Sequence, residues 1–272
     1  IKIEGRAFNQ CSSLQTLTIP TTVTEMREYV FMGCSALKSL TLPFVGTMAE
    51  HGGELSYMFG LGQSSSNMPY YLTDITLTNA ATIADGAFMG FTYLVNVRVQ
   101  GTATSVGVSA FKGCTALQTV ELPRTVTVIG DQAFSGCTSL KNINMPSALT
   151  TLGMSAFNGC TALTEVILPA TVTEIGNYAF NGCRSLATVD LGGTVRIGDQ
   201  AFYECSNLST LTLSPNLQTV GNSAFSGCKK IPTLVFAEGL LSVGRQAFAN
   251  CTSLTELYLP VTATAVGTGI AK

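Results

Sequence analysis

The chain has 272 residues, 46% hydrophobic and 11% charged; that is ample apolar material for a buried core and argues against a disordered chain. Fourteen Lys and Arg against 16 Asp and Glu leave a net charge of −2, too little positive charge to neutralise a row of phosphates, so nucleic acid is a poor partner. No apolar run reaches the roughly 20 residues of a membrane-spanning helix, and no basic start leads into a short apolar stretch with a small-residue cleavage site.

Phenylalanine marks an internal repeat. Phe8, Phe31, Phe59, Phe88, Phe111, Phe134, Phe157, Phe180, Phe202, Phe225 and Phe248 are separated by 22 to 29 residues, most often 23, so eleven copies fill the chain. A circuit of 23 residues is too short for two helices and their turns, but it suits one lap of a solenoid with a short strand and a tight return path. In the copy that begins at Phe111, Val120 and Leu122 alternate with Thr119 and Glu121, the period-two pattern of a strand with one face inward. The 36 threonines suit such strands. Pro123, Pro146 and Pro169 end the strand, because proline cannot donate a ladder hydrogen bond. A second extended stretch is expected around Val126, Val128 and Ile129, and Gly130 is expected to permit a backbone turn. With coils roughly 4.8 Å apart, the eleven laps predict a rod or arc about 50 Å long.

Two copies depart from the period. Those starting at Phe31 and Phe59 carry five and six extra residues, and the irregular region spans 44–71. It holds His51, the sole histidine, with Tyr57, a Ser-rich run at 63–67, and the pair Tyr70 and Tyr71. Insertions in solenoids project as loops that often read ligands, and the tyrosines offer contact area at low entropic cost. A tolerated surface excursion is the alternative. The nine cysteines, from Cys11 and Cys34 to Cys251, all stand three residues after a marker Phe. One ladder of buried free thiols acting as small hydrophobes is expected, because nine is odd and Phe91 fills the same place in one copy.

The run Leu117-x-x-Val120-x-Leu122-Pro123, followed by Ile129-Gly130-x-x-Ala133-Phe134-x-Gly136-Cys137, resembles the BspA-like leucine-rich repeat of bacterial and protozoan surface proteins. The resemblance covers nearly the whole chain, and the Asn ladder of other leucine-rich repeats is absent. It implies a leucine-rich-repeat solenoid, a horseshoe or superhelix. A parallel β-sheet is expected on its concave side, with short extended or 3-10 segments on its convex side. It also implies a secreted or cell-surface protein that adheres to host matrix proteins or to other cells. Residues 1–272 read as a single array; Ile3 and Val266-Gly267 sit mid-repeat with no polar cap, as in a piece of a longer protein.

Chemistry is sparsely signalled. With one histidine, a catalytic triad would have to use His51, and zinc sites needing two or three histidines are ruled out. The cysteine spacing of 22 or 23 is unlike the short spacing of zinc knuckles, so no metal or other cofactor is expected. Gly60 and Gly62 lack the Gly-Lys-Ser or Gly-Lys-Thr that completes a phosphate cradle. Asp131, Asp199 and Glu174 fall at turn-like offsets and read as solvated turn residues. The outward positions of the predicted concave strands remain. They are hydroxyl-rich and mildly acidic, with Asp74, Glu121, Glu165, Asp190 and Glu256 against Arg98, and they end at Tyr258. Such a face is compatible with a basic protein or a glycan; a merely solvated sheet is the alternative. The expected function is a non-enzymatic adhesion module that uses this face and the insertion loops, with a structural spacer of a surface protein as the alternative.

Overall fold

Alternation shapes the first strand of each lap. Val120 is buried between exposed Thr119 and Glu121, and Val166 and Leu234 are buried between exposed neighbours in the same way. A computed structural model describes residues 1–45, 55–61 and 68–271. Each coil, numbered here from its marker Phe, contributes one strand to a wide face. These are β2 (Thr16–Thr18), β4 (Ser39–Leu42), β5 (Asp74–Leu77), β6 (Asn96–Val99), β8 (Thr119–Glu121), β10 (Asn142–Ile143), β12 (Glu165–Ile167), β14 (Thr188–Asp190), β16 (Thr210–Thr212), β18 (Thr233–Val235) and β20 (Glu256–Tyr258). The narrow face is built from β1 (Lys2–Ile3), β3 (Glu25–Met26), β7 (Ser105–Val106), β9 (Val128–Ile129), β11 (Thr151–Leu152), β13 (Glu174–Ile175), β15 (Arg196–Ile197), β17 (Thr219–Val220), β19 (Ser242–Val243) and β21 (Ala265–Val266).

All pairs are parallel and join equivalent positions of successive coils, as Glu165 faces Thr188 and Ile167 faces Asp190. On the wide face β2, β4, β5, β6, β8 and β10 form one ladder, followed by β12-β14-β16 and β18-β20. On the narrow face β7 to β21 form a continuous eight-stranded ladder. Among the described residues the second stretch of the lap is therefore extended where these strands form, and it contains no 3-10 helix. One helical turn, α1 (Leu55–Met58), lies inside the irregular region and buries Leu55 and Met58.

Between the two faces the chain reverses around the marker Phe. Two left-handed residues flank it, such as Gln132 at φ 56° and Gly136 at φ 76° around Phe134. The Phe134 N–H donates to the Ala156 carbonyl of the next coil at 2.7 Å, so the turn continues the inter-coil bonding of the sheets. The glycine after the narrow strand has a different cause from the turn expected of it. Gly153 has no left-handed φ; a Cβ there would lie 2.6 Å from the backbone nitrogen of Asp131. Close approach of successive coils, rather than a turn, excludes a side chain.

The core is a set of columns. From Phe88 to Phe248 the marker rings stack with centroids 4.9 to 5.8 Å apart and interplanar angles of 3 to 17°. The coil spacing imposes this distance. The column is less regular near the insertions: Phe31 and Phe59 meet at 44°, and Phe59 then contacts Phe91, the residue that replaces Cys, at 6.4 Å.

The cysteine column is also internal, with one correction: Cys11 in the first coil is exposed, whereas the other eight thiols are buried and all nine are free. The buried thiols are more than small hydrophobes, since the sulfur of Cys137 donates to the Phe111 carbonyl at 3.1 Å, and Cys160, Cys183 and Cys228 repeat the contact one coil on. Burial pushes Cys114 and Cys183 up to about 12 and Cys34 and Cys251 up to about 11, so the thiols stay protonated. Threonine forms further columns: Thr127 and Thr150 each donate a hydroxyl to the carbonyl of the equivalent threonine one coil earlier. Much of the hydroxyl content therefore ties coil to coil.

Two outcomes follow from this packing. Phe134→Ala removes a fully buried ring and is expected to cost about 3–5 kcal/mol in urea unfolding; a variant that unfolds with the parent would contradict an internal column. A thiol reagent applied to the folded 272-residue chain should label Cys11 alone and reach nine groups only after denaturation. Rapid native labelling of two or more would contradict the buried ladder.

Candidate functional site

The outward side chains of the wide face form two columns, because residues two apart on a strand share a face and successive coils are in register. Three of the sequence-predicted residues come together on coils three to five. Asp74 of β5 accepts from Asn96 Nδ2 at 2.8 Å and from its neighbour Thr73 Oγ1 at 2.6 Å. Thr119 donates to Asn96 Oδ1 at 2.7 Å. In the second column Arg98 holds Glu121 through two bonds, Nε to Oε2 at 2.7 Å and a terminal guanidinium nitrogen to Oε1 at 2.9 Å. The bidentate bond to Arg98, reinforced by its charge, holds the Glu121 carboxyl below its ordinary value of 4.5. These residues line a shallow polar depression of about 390 Å³. Asn96 and Thr119 were read as face positions, but their role in linking Asp74 to the next coils depends on register.

Glu165, Asp190, Glu256 and Tyr258 lie further along the same face, on coils seven, eight and eleven. Exposed Ile167 and Val235 stand beside them in the second column; they were not among the predicted site residues, although their break in the hydroxyl pattern was the signal. The aromatic residues of the irregular region do not join this face as one cluster. Tyr57 sits on α1 with its ring 4.9 Å from that of Tyr29. Tyr70 makes an edge contact with Tyr93 at 5.3 Å, and Tyr71 is exposed in the turn that leads to β5. His51, Gly62 and the Ser-rich run at 63–67 lie outside the described residues.

The expectation that Asp131 and Asp199 are simply solvated is corrected. Asp131 Oδ1 accepts the Met154 N–H at 2.7 Å, and Asp199 Oδ1 accepts the Asn222 N–H at 2.7 Å. Asn177 and Asn222 do the same for Asp199 and Arg245, so an acidic or amide residue after the glycine forms a side-chain ladder between coils. Glu174 is exposed beside Arg196, at 3.6 Å. This ladder walls a groove of about 620 Å³ along the narrow face, over Gly198, Gly221, Gly244 and Gly267. Its carboxylates and amides are occupied in coil-to-coil bonds. Among the described residues no group of three or more His, Cys, Asp or Glu is placed to hold a metal, and no helix is long and apolar enough to cross a membrane.

Stacked parallel coils with Leu, Ile and Val at fixed stations and one open outward face define a leucine-rich-repeat solenoid. The model of the BspA type leucine-rich repeat region matches residues 1–51, 66–187 and 173–270 in six copies, and the chain belongs to that family. It is similar to a Treponema pallidum leucine-rich repeat protein at 31% identity, over 66% of this chain and 77% of that one, with a TM-score of 0.54. It is also similar to a leucine-rich repeat protein from Bacteroides ovatus at 23% identity, over 98% of this chain and 78% of that one, with a TM-score of 0.58; this second likeness bears on the fold. No curated protein matches the chain. Members of the family are typically binding or scaffold modules.

Because Arg98 lowers the Glu121 carboxyl, the pair holds above that lowered value and is lost as pH falls through it. An NMR titration should find the Glu121 midpoint below 4.5 and rising toward it in Arg98→Gln. The pair is exposed, so the variant should unfold close to the parent in a thermal melt.

Proposed function

We propose that the chain is a non-enzymatic binding module of a secreted or cell-surface protein, which recognises host matrix proteins or molecules of other cells. The observation that carries this reading is the wide face. Its outward side chains stand on strands whose inward neighbours are buried or, as Leu257 of β20, half-buried, so a broad array of acids, hydroxyls and exposed Ile167, Val235 and Tyr258 is held in place before any partner arrives. Membership of a typically surface-associated family supports the placement outside the cell. The exposed Tyr71 and the Tyr70–Tyr93 pair extend the candidate contact area toward the irregular region. A protein partner is favoured over a glycan because exposed aliphatic side chains accompany the polar ones.

A spacer is the second reading, favoured by the side-chain ladders that bind coil to coil and stiffen the array. A panel of immobilised matrix proteins, including collagen, laminin and fibronectin, separates the two. Saturable binding to at least one, weakened by Glu165→Ala with Asp190→Ala, is the expected result. Background signals across the panel would leave the spacer.

A further inference from the structure

The wide face is divided into two halves of different electrostatic character. On coils three to five the charges satisfy one another: Arg98 holds Glu121 through two bonds, and Asp74 accepts from Asn96 and Thr73. Desolvating that half under a partner would remove water from groups that already have partners, with little new bonding in return. Coils seven to eleven differ. The outward positions of β12, β14, β16, β18 and β20 include Glu165, Asp190 and Glu256 and no Lys or Arg. Asp190 accepts one backbone N–H, from Gly192 at 2.9 Å. Among the described residues, the ion pairs on the two faces are made elsewhere, by Arg98 with Glu121 on the wide face and by Lys2 with Glu25 and Arg196 with Glu174 on the narrow one. Arg184, Lys229 and Lys230 stand on the turns that precede β14 and β18, outside the strands.

The same half exposes its apolar residues. Ile167, Val235 and Tyr258 are 57%, 60% and 57% exposed, all in the second column, and Val235 lies directly opposite Tyr258. A lone exposed aliphatic residue needs no explanation. Here an aliphatic-aromatic pair stands on adjacent strands, with carboxylates in the neighbouring rungs and no cation on the strands to neutralise them. The five coils span roughly 19 Å at the spacing of parallel strands, which is the reach of a short peptide segment.

We propose that coils seven to eleven form a docking surface for a cationic amphipathic segment of another protein. Its apolar side chains pack on Val235, Tyr258 and Ile167, and its Lys or Arg side chains pair with Glu165, Asp190 and Glu256. This rests on the binding reading above and assigns it to one half of the face and one partner chemistry. The carboxylates steer a basic segment to the surface, and the Val235–Tyr258 pair supplies the desolvated anchor.

The test uses the full chain and a fluorescent 12-residue peptide of alternating Lys and Leu, with Glu-Leu and Lys-Ser peptides of equal length as controls. Anisotropy should show the Lys-Leu peptide binding at least about tenfold more tightly than either control, and weakening by a similar factor in 0.5 M salt. Glu165→Gln/Asp190→Asn/Glu256→Gln and Val235→Ser/Tyr258→Ser should each lose about tenfold or more, whereas Arg98→Gln/Glu121→Gln should bind as the parent does. All these positions are outward, and an unchanged circular dichroism spectrum confirms folding. Equal binding of the Lys-Ser peptide, an unaffected triple variant, or an equal loss in Arg98→Gln/Glu121→Gln would overturn the proposal. Soluble oligosaccharide binding that the triple variant leaves intact, with no peptide binding, would overturn it in favour of a glycan. The matrix panel reads out the binding function separately, so a failed peptide test leaves that reading standing, and a silent panel does not decide the peptide result.

Discussion

Commensurate stacking governs this structure: every coil must repeat the path of the one before at the spacing of parallel strands. Each coil buries little alone, so its strands, Phe ring and aliphatic side chains gain their contacts from the coils before and after. The marker Phe column shows the constraint directly. Its rings lie nearly parallel and about 5 Å apart from Phe88 to Phe248, a distance fixed by the backbone bonding around them. Where the insertions interrupt the period, the column tilts and Phe91 fills the space a Cys occupies elsewhere.

The same constraint explains residue choices that would otherwise look unrelated. Cysteine serves because its thiol is small enough for the interior and donates to the carbonyl of a Phe one coil earlier. Threonine recurs because its hydroxyl reaches the preceding coil's carbonyl while its branched carbon suits an extended chain. Aspartate and asparagine after the glycine accept the next coil's N–H. Glycine at the preceding place leaves room for that approach. Each choice satisfies or makes room for a polar contact at a coil-to-coil seam, and together they leave the outward strand positions as the part of the lap least bound to the stack.

That freedom is what the proposed binding surface draws on. Outward residues contribute little to the stack, so Arg98, Glu121, Ile167 and Tyr258 can differ from the threonines around them without disturbing the core. The two halves of the wide face use it differently: one is closed on itself by hydrogen bonds and a bidentate ion pair, and the other presents carboxylates beside an aliphatic-aromatic pair. The narrow face has less scope, since its glycines, amides and acids are taken up in holding coils together.

The period of the marker Phe determined the number of laps, and the alternation around Val120 determined which side chains point inward, because both are properties of consecutive residues. The family pattern was legible for the same reason. Neighbours separated by a whole lap were not legible in this way. That Arg98 closes on Glu121, that Asp131 reaches the Met154 N–H, that Cys137 donates to the Phe111 carbonyl, and that Val235 stands opposite Tyr258 all depend on the register between coils. Sequence periodicity fixes each residue's station within a lap, whereas side-chain bonding and exposure depend on which stations of neighbouring laps are brought within reach.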